Sequence, residues 1–407
     1  MLYDRYLRQY AAVFSRTDRN MWNYEDGCVL IGLSALYRAT GEEVFRDTIQ
    51  RFIDRYIDDT GAIRCYDQKE YNLDYIPTGR VLFELYDRTG NPKYRTAIET
   101  LEDQLRHQPR TASGSFWHKG IYPNQVWLDG LYMGLPYYVT YERKFGDGSR
   151  LDDVMLQFRN ARAHLYDPKT GLYYHAWDES RQAFWADKET GLSPNIWLRA
   201  LGWYLMALAD IYDLFPEERA EDRRELAALW KEGIDGILRW QDRDSGLFYQ
   251  LPALPNVHGN YLETSGSLMV AYSLLKGARL GVLSDETYRR SGEQVLMGIA
   301  LRKFTISNGQ VSLNGICKGA GLGPAGNLRR KGTVEYYLSE DVVADEQKGV
   351  GVCMMAYAEY LLARKADALA KDFPRVEIFT KEYDPIMPGD EKFIAFEARR
   401  RAEAAAR

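Results

Sequence analysis

The chain has 407 residues, with 53 Lys and Arg against 58 Asp and Glu, so its net charge of −5 gives no basic surface for nucleic acid or anionic lipid. Four cysteines, Cys28, Cys65, Cys317 and Cys353, stand far apart with no CxxC pair, so neither a zinc site nor a disulfide framework is indicated and a reducing compartment fits best. The start, Met1-Leu2-Tyr3-Asp4-Arg5, lacks the basic and apolar regions of a secretory signal, and no stretch approaches the ~18 apolar residues of a membrane span; a soluble, cytoplasmic protein is expected.

Helical periodicity predicts twelve helices along the chain, at 2–15, 22–39, 43–58, 75–88, 92–107, 124–144, 149–165, 195–213, 217–240, 262–280, 285–300 and 346–364. Gly41 and Gly90 follow similar phrases, Leu36-Tyr37-Arg38-Ala39-Thr40 and Leu85-Tyr86-Asp87-Arg88-Thr89, and read as helix stops. A second phrase recurs at Asp58-Asp59-Thr60-Gly61, Asp167-Pro168-Lys169-Thr170-Gly171 and Asp242-Arg243-Asp244-Ser245-Gly246, each a tight turn before a short β-prone run. The Gly-rich region 303–345 reads as a long loop with short strands. Paired helices repeating in this way, with no long strand, predict an all-α toroid or solenoid; six hairpins close naturally into a single-domain (α/α)6 barrel over 1–370, with 371–407 as an extension of no assigned role.

The chemistry-bearing candidates follow in chain order. Asp74, in Tyr71-Asn72-Leu73-Asp74-Tyr75-Ile76-Pro77, suits either a catalytic carboxylate or a helix N-cap. His118 and His175 sit in aromatic-rich loops without metal-ligand spacing, so hydrogen bonding to a substrate or a plain surface role is expected rather than metal binding. Asp129 lies two turns into a helix that Pro123 would open, beside Val126 and Tyr132, where desolvation would raise its pKa toward that of a general acid; a structural aspartate is the alternative. Arg199 has Trp197 and Trp203 at two and four residues, an arrangement suited to holding a carboxylate and stacking a sugar, or to plain core packing. The aromatic load, 30 Tyr, 9 Trp and 15 Phe, fits both sugar binding and a large helical core.

Five phrases, LDYIPTGR at 73–80, HKGIYPNQVWLDGLYMGLP at 118–136, IWLRALGWY at 196–204, YLETSGSLMVAY at 261–272 and KGVGVCMMAYAE at 348–359, together resemble the unsaturated rhamnogalacturonyl hydrolases of glycoside hydrolase family 105 and, more distantly, the unsaturated glucuronyl hydrolases of family 88. The resemblance implies that Asp129 is the general acid/base and Asp74 its supporting carboxylate. It further implies that His118, Trp127, His175, Trp197, Arg199 and Trp203 hold an unsaturated uronic acid at the end of a pectin-derived oligosaccharide, with no metal or organic cofactor. A glucuronyl substrate, a sugar epimerase on the same scaffold and a noncatalytic saccharide-binding protein are the competing readings.

Overall fold

The structure, a computed structural model, describes residues 2–14, 16 and 19–370, so the extension expected at 371–407 lies outside the described residues. Its helices are α1 (Leu2–Phe14), α2 (Tyr24–Thr40), α3 (Glu43–Ile53), α4 (Arg80–Thr89), α5 (Pro92–His107), α6 (Leu128–Lys144), α7 (Leu151–Leu165), α8 (Leu198–Leu214), α9 (Ala220–Leu238), α10 (Thr264–Arg279), α11 (Glu286–Arg302), the short α12 (Val334–Leu338) and α13 (Gln347–Ala370). Two kinds of helix alternate. In α2, α6, α8 and α10 most residues, on all sides of the helix, are buried, whereas α3, α5, α9 and α11 bury a single stripe. The first kind, with α4 and α13, forms an inner ring; the second packs outside it.

Five hairpins, α2–α3, α4–α5, α6–α7, α8–α9 and α10–α11, are continuous in sequence. The sixth pair joins the two ends of the described chain, with α1 lying outside α13. The ring closes where α13 packs against α2, and two glycines make that seam close: a Cβ on Gly351 would lie 2.3 Å from the Cys28 carbonyl oxygen, and one on Gly32 would lie 2.7 Å from that of Gly351. The (α/α)6 barrel is therefore present as expected. No helix among the described residues is long and apolar enough to cross a membrane.

The expected turns and stops form as the sequence reads. Gly41 and Gly90 end α2 and α4 with φ of 76° and 65°. The side chains of Asp58, Asp167 and Asp242 accept the backbone N–H groups of the turns they begin. In region 303–345, Phe304–Ser307 pairs with Gln310–Leu313, and Ile316–Cys317 with Val342–Val343.

Three expected helix starts are corrected. Residues 75–79 are not α-helical: single 3-10 turns occupy Leu73–Tyr75 and Pro77–Gly79 before α4 begins at Arg80. Pro123 opens a turn, not a helix; Asn124 has φ 61°, and Gln125–Trp127 is a strand paired with Ala176–Asp178, so α6 begins only at Leu128. The start of α8 moves similarly, from 195 to Leu198. In each case the segment preceding the helix is spent on loop contacts that hold a site residue.

Candidate active site

The inner helices begin at one end of the barrel, and each of the expected site loops lies there. Asp74 precedes α4, Asp129 lies in the first turn of α6, Arg199 in the first turn of α8, Glu263 caps α10 and Lys348 begins α13. Helix N-termini carry partial positive charge, so their convergence favours an anion at this end.

Backbone hydrogen bonds bring the loops together. His118 N–H donates to the Gln125 carbonyl at 2.9 Å, while Leu73 N–H donates to the His118 carbonyl at 3.2 Å, which ties the Asp74 loop to the entry of α6. Gln104 and Gln108 donate to the Asn72 and Tyr71 carbonyls from α5 and its end. On the other side Leu128 N–H donates to the His175 carbonyl, continuing the 125–127/176–178 ribbon. Gly130 leaves room for this convergence, since a Cβ there would stand 3.4 Å from His118 Nδ1 and 3.2 Å from Leu73.

Two carboxylate–imidazole pairs result. Asp129 Oδ2 lies 3.4 Å from His175 Nε2, both atoms are buried, and neither completes a hydrogen bond of normal length with the protein. His175 Nδ1 lies 2.7 Å from the Tyr337 hydroxyl, and burial raises the Tyr337 pKa well above its usual value, so that hydroxyl keeps its proton. When Tyr337 donates to Nδ1, the ring proton stands on Nε2 and faces Asp129. Burial pushes the Asp129 carboxyl up, but the interaction with His175 and, less strongly, with His118 outweighs it and holds the group below its ordinary value. The upward shift expected from the sequence is thus reversed, because a residue distant in sequence, just before the Ala176–Asp178 strand, supplies the imidazole.

In the second pair Asp74 Oδ2 meets Lys119 Nζ at 2.5 Å, and Oδ1 lies 3.6 Å from His118 Nε2. Capping does not explain Asp74: the cap of its 3-10 turn is Asn72, whose side chain accepts from Asp74 N–H at 3.0 Å. Burial lowers the His118 pKa to about 4 despite Asp74, so the imidazole is neutral at physiological pH, and its Nδ1 is buried without a protein partner. Burial also works against the Lys119 charge, but Asp74 outweighs it and holds the ammonium above its usual value.

Aromatic rings join the two pairs. Trp127 stacks on His118 at 4.5 Å and on Tyr122 at 4.8 Å, and meets His175 edge-on at 5.2 Å. Trp197 lies 4.9 Å from His175 and carries the Arg199 guanidinium over its face, also at 4.9 Å. Arg199 is buried and donates from Nη1 to the Cys317 carbonyl and to Ser265 Oγ, which sets the direction of the fork. Trp203 sits one turn further along α8, stacked on Tyr132 at 4.8 Å. Among the described residues, no three His, Cys, Asp or Glu side chains are placed to hold a metal ion.

The family model described as Glycosyl Hydrolase Family 88 matches residues 3–363. The chain belongs to that family. The family 88 chain is 39% identical to a family 105 glycoside hydrolase from C. acetobutylicum of known structure, which superposes with a TM-score of 0.84 over 88% of this chain and 99% of the other. It is 41% identical to Protein Atu3128 of Agrobacterium fabrum over 56% of this chain and 99% of that protein. It is 27% identical to the unsaturated rhamnogalacturonyl hydrolase YesR of Bacillus subtilis over 64% of this chain and 72% of that one. The protein is therefore a glycoside hydrolase, and the resemblance to family 105 holds.

Three residues of the candidate site were not expected from the sequence. Lys119 follows His118 directly, and its place beside a histidine in a candidate loop could have marked it. Tyr337, on α12, had no such signal, because its link to His175 spans 162 positions. Tyr24, at the start of α2, lies in the fields of Asp74 and Arg199, which act on its hydroxyl after the larger effect of burial; its ring also lies edge-on to Trp203 at 6.4 Å.

Proposed function

We propose that this glycoside hydrolase removes a terminal 4,5-unsaturated uronic acid, of galacturonyl origin, from oligosaccharides released from pectin or rhamnogalacturonan by lyases. The observation carrying the proposal is Asp129: a carboxylate in the first turn of an inner helix, in a buried, anion-favouring pocket, with an oxygen that no protein donor satisfies. The name of the YesR relative supports the substrate class.

The C4=C5 bond of such a sugar is conjugated to the carboxylate and attached to the ring oxygen, so it is a vinyl ether. Asp129 delivers a proton to C4, and the positive charge left at C5 is shared with the ring oxygen. Water adds at C5 and gives its proton to Asp129, which restores the acid. The resulting hemiketal opens by breaking the bond from C5 to the ring oxygen, and the C1 hemiacetal then expels the remaining saccharide as an alcohol. Arg199 holds the uronate carboxylate with the edge of its guanidinium not bonded to Cys317 and Ser265, while Trp127 and Trp197 flank the ring. His175 orients Asp129; Asp74, with Lys119 and His118, supports the opposite side of the sugar, and Trp203 completes the pocket. An arriving uronate anion and the loss of water around it both raise the Asp129 pKa, so substrate binding brings the proton to the acid.

The test is incubation with lyase digests of several uronic polysaccharides, following the conjugated-alkene absorbance. Loss of absorbance with release of the shortened saccharide is expected on pectin-derived digests. Unchanged absorbance on every digest overturns the proposal, and turnover confined to glycosaminoglycan digests replaces the galacturonyl reading with the glucuronyl one.

A further inference from the structure

Eight large apolar side chains are markedly exposed among the described residues, and three of them, from loops far apart in sequence, converge on one cleft: Ile121 (60% exposed), Phe184 (36%) and Leu328 (59%). Isolated surface hydrophobics need no explanation, but a shared concave surface does. The cleft holds about 450 Å³ and is also lined by Pro123, Ala183 and Pro324. Each of its two buried polar neighbours has a side-chain oxygen engaged within the protein. Gln125 Oε1 accepts from Trp127 Nε1 at 3.1 Å, and Asp178 accepts from Ser180 N–H, Ser180 Oγ and Ala183 N–H.

The cleft adjoins the catalytic pocket. Gln125 and Asp178 lie opposite one another at one end of the two-stranded ribbon whose other end, Trp127 opposite Ala176, leads into Asp129 and His175. The offset is two residues, roughly 7 Å at ~3.4 Å per residue, on the scale of a sugar ring. Tyr122, between two cleft residues, stacks on Trp127 from this side, and the loop bearing Leu328 starts beside the Trp127 ring, since a Cβ on Gly321 would lie 3.5 Å from it. The surface is also set in advance: Asp178 pins the 178–183 turn, and Gly321 N–H donates to the Tyr336 hydroxyl at 2.9 Å.

Chemistry gives this surface a task. Galacturonate and glucuronate differ only at C4, and the elimination that creates the C4=C5 bond erases that difference. A pocket for the unsaturated sugar cannot read its origin, so selection among natural substrates has to fall on the leaving saccharide. We infer that the Ile121–Phe184–Leu328 cleft binds the leaving saccharide by an apolar face, favouring a sugar that presents C–H groups or a deoxy or acylated position over one that presents charge. This rests on the hydrolase reading proposed above.

The test compares Phe184→Ala and Leu328→Asp with wild type on two substrates: the methyl glycoside of the unsaturated uronic acid, which leaves the cleft empty, and unsaturated oligosaccharides from a rhamnogalacturonan lyase digest. For each variant kcat/KM on the methyl glycoside should stay within about twofold of wild type, while on the oligosaccharides it falls on the order of tenfold, mainly through KM. An equal fractional change on both substrates overturns the leaving-group assignment while leaving the hydrolase reading intact. A wild-type protein inactive on both overturns the hydrolase reading and this inference with it.

Discussion

The two ends of the barrel interior hold charge in opposite ways. Eleven residues beyond Arg199 on α8, ~16 Å along the axis, Asp210 is buried and fully engaged: Oδ2 accepts from Arg80 at 2.7 Å, and Oδ1 accepts from Lys276 at 2.9 Å and from the Tyr272 hydroxyl. Burial opposes its charge, but Lys276 and Arg80 outweigh that and hold it far below the usual carboxylate range. In this network only Arg80 Nη1 lacks a partner. At the other end Asp129 Oδ2, His175 Nε2, His118 Nδ1 and Trp197 Nε1 are all buried without one. The Asp210 network links α4, α8 and α10 across the interior and reads as structure, whereas the unsatisfied set is what a site waiting for a polar ligand requires.

That contrast is broken most sharply by matched substitutions. Asp129→Asn should cut kcat by ~10²–10⁴-fold, because the amide keeps the shape but delivers no proton, while the denaturation midpoint falls only slightly, by the loss of the His175 contact. Asp210→Ala should instead cost about 3–5 kcal/mol in denaturant unfolding, since it leaves Arg80 and Lys276 buried without their anion. If Asp129→Asn lost stability as Asp210→Ala does, the two ends would not differ in kind.

Arg199→Lys keeps the charge and loses the fork. A fall in kcat/KM of on the order of ten- to hundredfold is expected, from about 1.5–3 kcal/mol of charge-assisted bonding, with a much smaller ratio of wild type to variant on a neutral ester of the uronate. Equal ratios on acid and ester would return Arg199 to core packing. The smallest effect concerns pH. His175 holds the Asp129 pKa down, and the proposed reaction starts from the protonated acid, so wild-type kcat/KM should fall as pH rises from the acidic side. Replacing His175 with Asn removes the depressing group and should move that falling limb to higher pH; a limb that stays in place would detach His175 from Asp129.

How much of this could be read from the chain follows from range. Gly41, Gly90 and the three Asp-led turns act through neighbours within four residues, and all were legible. The inner helices were legible too, because burial all round leaves long apolar runs. Pro123 misled, since a proline that opens a turn and one that opens a helix look alike until the partner strand at Ala176–Asp178 is known. Asp74 was ambiguous because Asn72, two residues earlier, turned out to be the cap. The direction of the Asp129 shift could not be read, as it depends on an imidazole 46 positions away whose own orientation is set by Tyr337.

The seam between α2 and α13 has a consequence during synthesis. Gly32 meets Gly351, 319 positions later, so the side of α2 that becomes the seam has no partner while almost all of the ring is being made. At ~5–20 residues per second this lasts roughly 15–65 s, long compared with helix formation. The nascent chain therefore carries an open arc of stacked hairpins with an uncovered apolar edge, and the last inner helix, arriving late, converts that arc into a ring and covers that edge.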